Sequence, residues 1–239
     1  MKKILLMIML LAVCESTHAM DVPTMGQLMT AMEQADVKIN DLSYNYTMKY
    51  WPQGGNKSEA TLVLDGKDWY KKSHLYRSET VHVYMPEKNK HTYIIKIEGN
   101  SMNTYELLAD GTVKKTLSVP AKDWETSGYP PQLWRSRLQK KLDEGFVPVI
   151  RYQPGTDTYL VRFDDSPDKA VYKIDGKSWL LYSETVFNVD NNSFVESLDS
   201  DFKINSGLSD ELFRLPGEAD AVVPAVPREL QPRRNARTR

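Results

Sequence analysis

The chain has 239 residues, with 31 Lys+Arg against 32 Asp+Glu and a net charge of −1. That balance excludes a polybasic nucleic-acid binder, whose phosphate contacts need a surplus of cations. Charged residues at 26% and apolar ones at 41% exclude wholesale disorder. The 13 Tyr and 5 Trp against 6 Phe favour half-buried pleated surfaces over an oily helical core.

The N-terminus reads as an export address. Met1-Lys2-Lys3 precedes an unbroken apolar run from Ile4 to Val13. That run is too short for a bilayer span, which takes about 20 residues, and has the size of a secretory h-region. Thr17-His18-Ala19 sets small residues at −3 and −1 for cleavage before Met20. Residues 1–19 are therefore expected to be a signal peptide, and the rest an exported, periplasmic protein of a bacterial envelope. Cys14 is the single cysteine. Leu11-Ala12-Val13-Cys14 resembles a lipobox, departing from it at Val13, where Gly, Ala or Ser is wanted. Cys14 is either a lipid anchor or leaves with the leader. In both cases the folded part can hold no disulfide and no thiolate zinc site.

Helix signals follow at Thr24. Thr24 and Gln27 have capping-box spacing. Met25, Leu28, Met29 and Met32 then fall on one helical stripe. A Met-rich stripe is either simple core or a pliable surface for a variable apolar ligand, since thioethers repack cheaply. Next, Leu42, Tyr44, Tyr46, Met48 and Tyr50 alternate with polar residues, a strand with one apolar face. Asp65-Gly66, Asp110-Gly111 and Asp175-Gly176 each read as a tight hairpin in an antiparallel meander. Further strands are expected at 79–85, 92–98, 103–108, 112–119, 147–153, 158–164, 170–175, 179–187 and 193–204. Ile94 beside Ile95 marks a strand buried on both faces. In the last strand Phe194, Leu198, Phe202 and Ile204 are expected on one side, and Val195, Ser197, Asp199 and Asp201 on the other. Pro130-Pro131 opens a second helix, with Trp134, Leu138 and Leu142 spaced by four and Gly145 as its stop. Residues 217–239, rich in Pro and Arg, read as a flexible tail able to touch an anionic membrane surface or envelope proteins, or nothing.

The expected architecture is α+β and mostly antiparallel: an unclosed, curled sheet (half-barrel) with helices covering its concave face. The order helix, strands, helix, strands, ending in Asn205, Asp210, Phe213 and Pro216, resembles the outer-membrane lipoprotein carrier and sorting proteins, the LolA-like family. The resemblance spans Met20 to Pro216 in outline. It implies a domain of residues 20–216 that shields acyl chains of lipoproteins or lipids in an apolar cavity. On that reading the ligand contacts are Met25, Leu28, Met29, Met32, Tyr44, Tyr46, Met48, Trp134 and Leu138, each equally expected as ordinary core. The family uses a strand arginine to latch its lid helix through backbone carbonyls; Arg77 is a position that could serve in that role, or equally a solvated strand charge. The same features suit a scaffold or a sensor of envelope lipoproteins on this fold, recruited by protein partners.

Enzyme readings find little support. Ser166-Pro-Asp-Lys169 and Ser200-Asp-Phe-Lys203 match Ser-x-x-Lys, but no Ser-Asp-Asn or Lys-Thr-Gly accompanies them. Of His74, His82 and His91, the first two could share a sheet face, but no third metal ligand is in view. A non-enzyme needing no cofactor and binding no nucleic acid is expected.

Overall fold

The computed structural model describes residues 22–52, 60, 62–72, 75–83, 90–122, 132–188 and 193–218. The leader with Cys14, His74 and the basic tail lie outside the described residues.

Helix α1 (Met25–Lys38) begins where the capping box predicts. Gln27 N–H donates to the Thr24 hydroxyl at 3.3 Å, and Thr24 N–H to Gln27 Oε1 at 2.8 Å. Eleven strands follow: β1 (Asp41–Trp51), β2 (Leu62–Lys71), β3 (Leu75–His82), β4 (Lys90–Glu98), β5 (Ser101–Leu107), β6 (Val113–Pro120), β7 (Val149–Gln153), β8 (Thr158–Phe163), β9 (Asp168–Asp175), β10 (Leu181–Asn188) and β11 (Ser193–Ile204). Helix α2 (Gln132–Asp143) sits between β6 and β7, and a 3-10 helix (Asp210–Phe213) follows β11.

All eleven strands join one antiparallel sheet in the order β6-β5-β4-β3-β2-β1-β11-β10-β9-β8-β7. β6 and β7 stay unpaired with each other, so the sheet is an open half-barrel. The first and last strands meet at its centre, and each wing is a local meander. Both helices cover one face. Leu28 and Met32 of α1 and Leu138 of α2 are sealed in one core with Leu42, Tyr70, Tyr76, Ile95, Met102, Val161, Phe163 and Tyr172.

Three details depart from the alternation in the sequence. Asp65-Gly66 is not a hairpin but lies within β2, opposite Thr47 and Tyr46 of β1. A Cβ on Gly66 would come within 2.3 Å of the Tyr46 ring. Glycine is there because an aromatic ring crosses its strand. Asp110-Gly111 and Asp175-Gly176 do turn, between β5 and β6 and between β9 and β10. Second, Ser43 opposes Lys203 while Asn45 opposes Ser200, which leaves Asp201 and Phe202 opposite Tyr44 alone. This bulge, with Asp201 at φ 54° and its carboxylate accepting from Asn45 Nδ2 at 2.8 Å, reverses the side-chain parity of β11. Phe202 therefore packs on the Tyr44 ring, centroids 5.5 Å apart, while Phe194 meets Trp51 on the other face.

Third, the chain end returns across the convex face. Asn205 Oδ1 accepts from Asn40 N–H at 2.6 Å, and its amide donates to the Lys38 carbonyl at 2.9 Å. The Asp41 carboxylate accepts from Ser206 N–H at 2.7 Å and Gly207 N–H at 3.1 Å. Lys71 Nζ then reaches the Leu208 carbonyl at 2.7 Å and Asp210 at 2.5 Å, and Arg77 reaches the Leu212 carbonyl at 2.9 Å. Phe213 and Ile94 are both buried yet outside the helix-covered core, so β4 is buried on both sides at Ile94 and Ile95.

Two outcomes test this packing. Gly66→Ala is expected to cost about 1–3 kcal/mol in urea unfolding, as overpacking does, and Tyr46→Ser is expected to restore most of it. Asn205→Ala removes both polar links to the end of α1 and is expected to cost about 2 kcal/mol, with an unchanged urea slope.

Candidate functional site

Residues paired across strands project to one side of a sheet, so the concave face can be read row by row. Leu42, Tyr70, Tyr76 and Ile95 form a row that belongs to the core under the helices. The next rows are polar: Tyr44, Asp68 and Ser78, then Asp199, Tyr46, Gly66 and Thr80. Beyond them the face turns apolar again. Met48 pairs with Leu64; Leu62, Tyr50, Val195 and Val186 make a continuous row across four strands. These six side chains are only partly buried.

The polar rows form a connected belt. Tyr44 Oη donates to Asp68 Oδ2 at 2.8 Å, and the nearby Tyr76 and Ser78 hydroxyls favour the charged form of this carboxyl. Tyr46 Oη, lying over Gly66, pairs with the Thr80 hydroxyl. Burial raises the pKa of Asp68 despite its hydroxyl neighbours. Burial, aided by the negative charge of Asp68, pushes Asp199 up to about 8. Arg137 of α2, paired with Glu184, opposes that rise.

Helix α2 is tied to α1 and to the second wing. Arg135 lies 3.5 Å from Asp36 and 3.8 Å from Glu33 of α1. Burial lifts Asp36 to about 6 even beside that guanidinium. Between α2 and β9–β10 lies a cavity of about 250 Å³, walled by Arg137, Lys140, Lys141, Asp168, Glu184 and Val186 among others. It is polar, unlike the apolar cavity expected for the lid region.

The residues predicted from sequence fall into distinct places. Leu28, Met32 and Leu138 are buried in the core, while Met25 and Met29 pack against it partly exposed. Tyr44 and Tyr46 belong to the polar belt, and Met48 to the apolar rows beyond. Arg77 lies on the convex face and binds a backbone carbonyl of the 3-10 helix. Trp134 lies on α2, and its side chain is outside the described residues. Asp68 is not marked by any sequence motif, while Asp199 and the α2 lysines read there only as a strand-face carboxyl and helix-end charges. A carboxyl in an otherwise strand-like run, as at Asp68, was the available signal. His82 and His91 rings are 6.3 Å apart, and His91 pairs with Glu106 at 3.0 Å. Among the described residues no group of three His, Cys, Asp or Glu could hold a metal.

The raised Asp199 pKa fixes the sign of a pH effect. Between about pH 4 and 8 the folded chain keeps a proton that the unfolded chain has released, so stability falls as pH rises through that window. Asp199→Asn is expected to stabilise the protein by about 1–3 kcal/mol at pH 8.5 and by little at pH 4, read from urea midpoints. An equal gain at both pH values would contradict a buried carboxyl that resists ionisation.

No family model and no curated protein matches the chain. Solved structures do. An uncharacterized conserved protein from Thermus thermophilus is 9% identical, with a TM-score of 0.49, over 82% of this chain and 97% of that one. An outer membrane lipoprotein-sorting protein domain from Vibrio parahaemolyticus is 11% identical, with a TM-score of 0.39, over 78% and 94%. The LolA superfamily protein NE2245 from Nitrosomonas europaea is 10% identical, with a TM-score of 0.34, over 78% and 97%. LolA-superfamily structures are thus among those similar to this chain, at low sequence identity.

Proposed function

We propose that this protein is an exported carrier or binding protein that shields acyl chains of lipids or lipoproteins against the concave face of its half-barrel. The observation that carries the reading is the partly buried apolar surface beyond the polar belt, formed by Met48, Leu64, Tyr50, Leu62, Val195 and Val186. Removing an acyl chain from water is worth about 0.8 kcal/mol per CH₂, so a 16-carbon chain needs apolar cover worth roughly 12 kcal/mol. A continuous apolar row across four strands supplies one wall of such cover. Met25 and Met29, partly exposed on α1 at the margin of the core, are thioethers that repack cheaply. The leader at 1–19 would deliver the domain of residues 20–216 to the periplasm, and the tail at 217–239 would offer basic contacts to the envelope.

A second reading rests on a different observation. Beneath α1 the face is filled: Leu28 and Leu138 are fully buried and Met32 is 2% exposed. A scaffold or sensor on this fold, engaging partners by its surface, needs no more than that.

The two readings separate by experiment. Native mass spectrometry of the full exported chain should show co-purified lipid, and a fluorescent fatty acid should bind. Met48→Gln with Leu64→Gln is expected to weaken the probe about tenfold or more, a loss near 1.4 kcal/mol per factor of ten, with little change in Tm. Absence of both lipid and probe binding would leave the scaffold reading standing.

A further inference from the structure

The cavity between α2 and β9–β10 carries a charge pattern that the acyl-chain reading leaves unused. Its wall holds three cations, Arg137, Lys140 and Lys141, and three carboxylates, Glu144, Asp168 and Glu184. Four of these answer one another. Arg137 pairs with Glu184, and Lys140 lies 3.9 Å from Glu144. The remaining two do not. Lys141 donates to the buried Ser166 hydroxyl at 2.8 Å and lies over the Phe146 ring. Asp168 accepts from the Asn188 amide at 2.7 Å. Among the described residues neither forms an ion pair, so each partly buried charge has only uncharged protein partners.

One cavity therefore presents an uncompensated cation and an uncompensated anion. A simple anion would satisfy Lys141 and be repelled by Asp168; a simple cation would do the reverse. A ligand bearing both charges satisfies both. The volume, about 250 Å³, equals the liquid volume of about eight waters, enough for a small polar group and too little for an acyl chain as well. The chain has somewhere to go. Val186 walls the cavity and also belongs to the apolar row Val186, Val195, Tyr50, Leu62, which Ala170 and Phe163 continue into the core. A polar pocket thus opens onto an apolar track.

From this geometry we infer that the cavity seats the phosphate–ammonium headgroup of a zwitterionic lipid, phosphate at Lys141 and ammonium at Asp168, with the acyl chains running along the Val186 row. The inference rests on the acyl-chain reading above and names the lipid class for it. Lys140, the most exposed of the three cations, adds a second donor for the phosphate at the rim.

The test titrates the full exported chain with four soluble probes: dihexanoyl phosphatidylethanolamine, dihexanoyl phosphatidylglycerol, dihexanoylglycerol and free phosphoethanolamine. The zwitterionic lipid is expected to bind at least tenfold tighter than the other three. Lys141→Gln should weaken both phospholipids about tenfold and leave dihexanoylglycerol unchanged. Asp168→Asn should reverse the preference between the two phospholipids, and circular dichroism melts check that both variants fold. Equal binding of all three lipids would overturn the headgroup site and leave the acyl-chain reading intact. Phosphoethanolamine binding as tightly as its lipid, with dihexanoylglycerol unbound, would make the ligand a free zwitterion and overturn the lipid assignment. If none of the four binds while the fluorescent fatty acid does, the headgroup site is overturned and the acyl-chain reading stands; if the fatty acid fails as well, both are overturned.

Discussion

The pairing of the first strand with the last is the constraint on which the rest of the structure depends. β1 and β11 sit at the centre of the sheet although some 150 residues separate them, and closing so long a loop costs entropy before any contact repays it. The polar clasp at the end of α1 fits that need. Asn205 satisfies the amide of Asn40 and the carbonyl of Lys38, and Asp41 collects two amides beyond the end of β11. Orphan groups at the end of α1 and beyond β11 are thereby matched to one another, which fixes register as well as proximity. Everything else is local. β2–β6 and β7–β10 are meanders whose hairpins need only short-range closure, and their free edges are what keep the half-barrel open.

Helix α2 occupies a mechanically special place between the wings, whose residues also meet in the core beneath α1. It connects the two open edges in sequence and packs over the concave face in space. Arg135 ties it to α1, Arg137 to β10 and Lys141 to the segment before β9. Each tie is polar and the first two are ionic, whereas Leu138 is the apolar anchor beneath. Among the described residues of α2 Leu138 is the one fully sealed side chain, with Leu142 packed at the core's margin, and a helix so held tilts at lower cost than one buried along its length.

The sequence made the architecture readable because its signals were local. The capping box at Thr24, the alternation from Leu42 to Tyr50 and the turns at Asp110-Gly111 and Asp175-Gly176 each depend on a few neighbouring residues. It failed where a feature depended on a distant partner. Asp65-Gly66 has hairpin chemistry, but its glycine answers the ring of Tyr46 one strand away. The reversal in β11 arises from a bulge opposite Tyr44, so Phe202 and Phe194 face opposite ways despite their even spacing. The site was hidden for the same reason. Asp68 and Asp199 look like ordinary strand carboxyls, and only the pairing of β2 and β11 with β1 brings them to one buried belt.

That belt also changes how the concave face should be understood. A uniformly apolar trough would let a bound chain slide anywhere, and would also invite the helices to collapse onto it. Here Tyr44, Tyr46, Asp68 and Asp199 divide the face in two. On one side apolar residues are consumed by α1 and α2; on the other Met48, Leu64, Tyr50, Leu62 and Val195 remain partly exposed, while Val186 packs against the margin of the core. Extending the packed core across the belt would bury two more faces of carboxyls already resisting ionisation, so the collapse stops there. The cost of those buried acids thus has a structural return: it holds apolar surface in reserve beyond the core, at the end of the face where Val186 meets the charged cavity under α2.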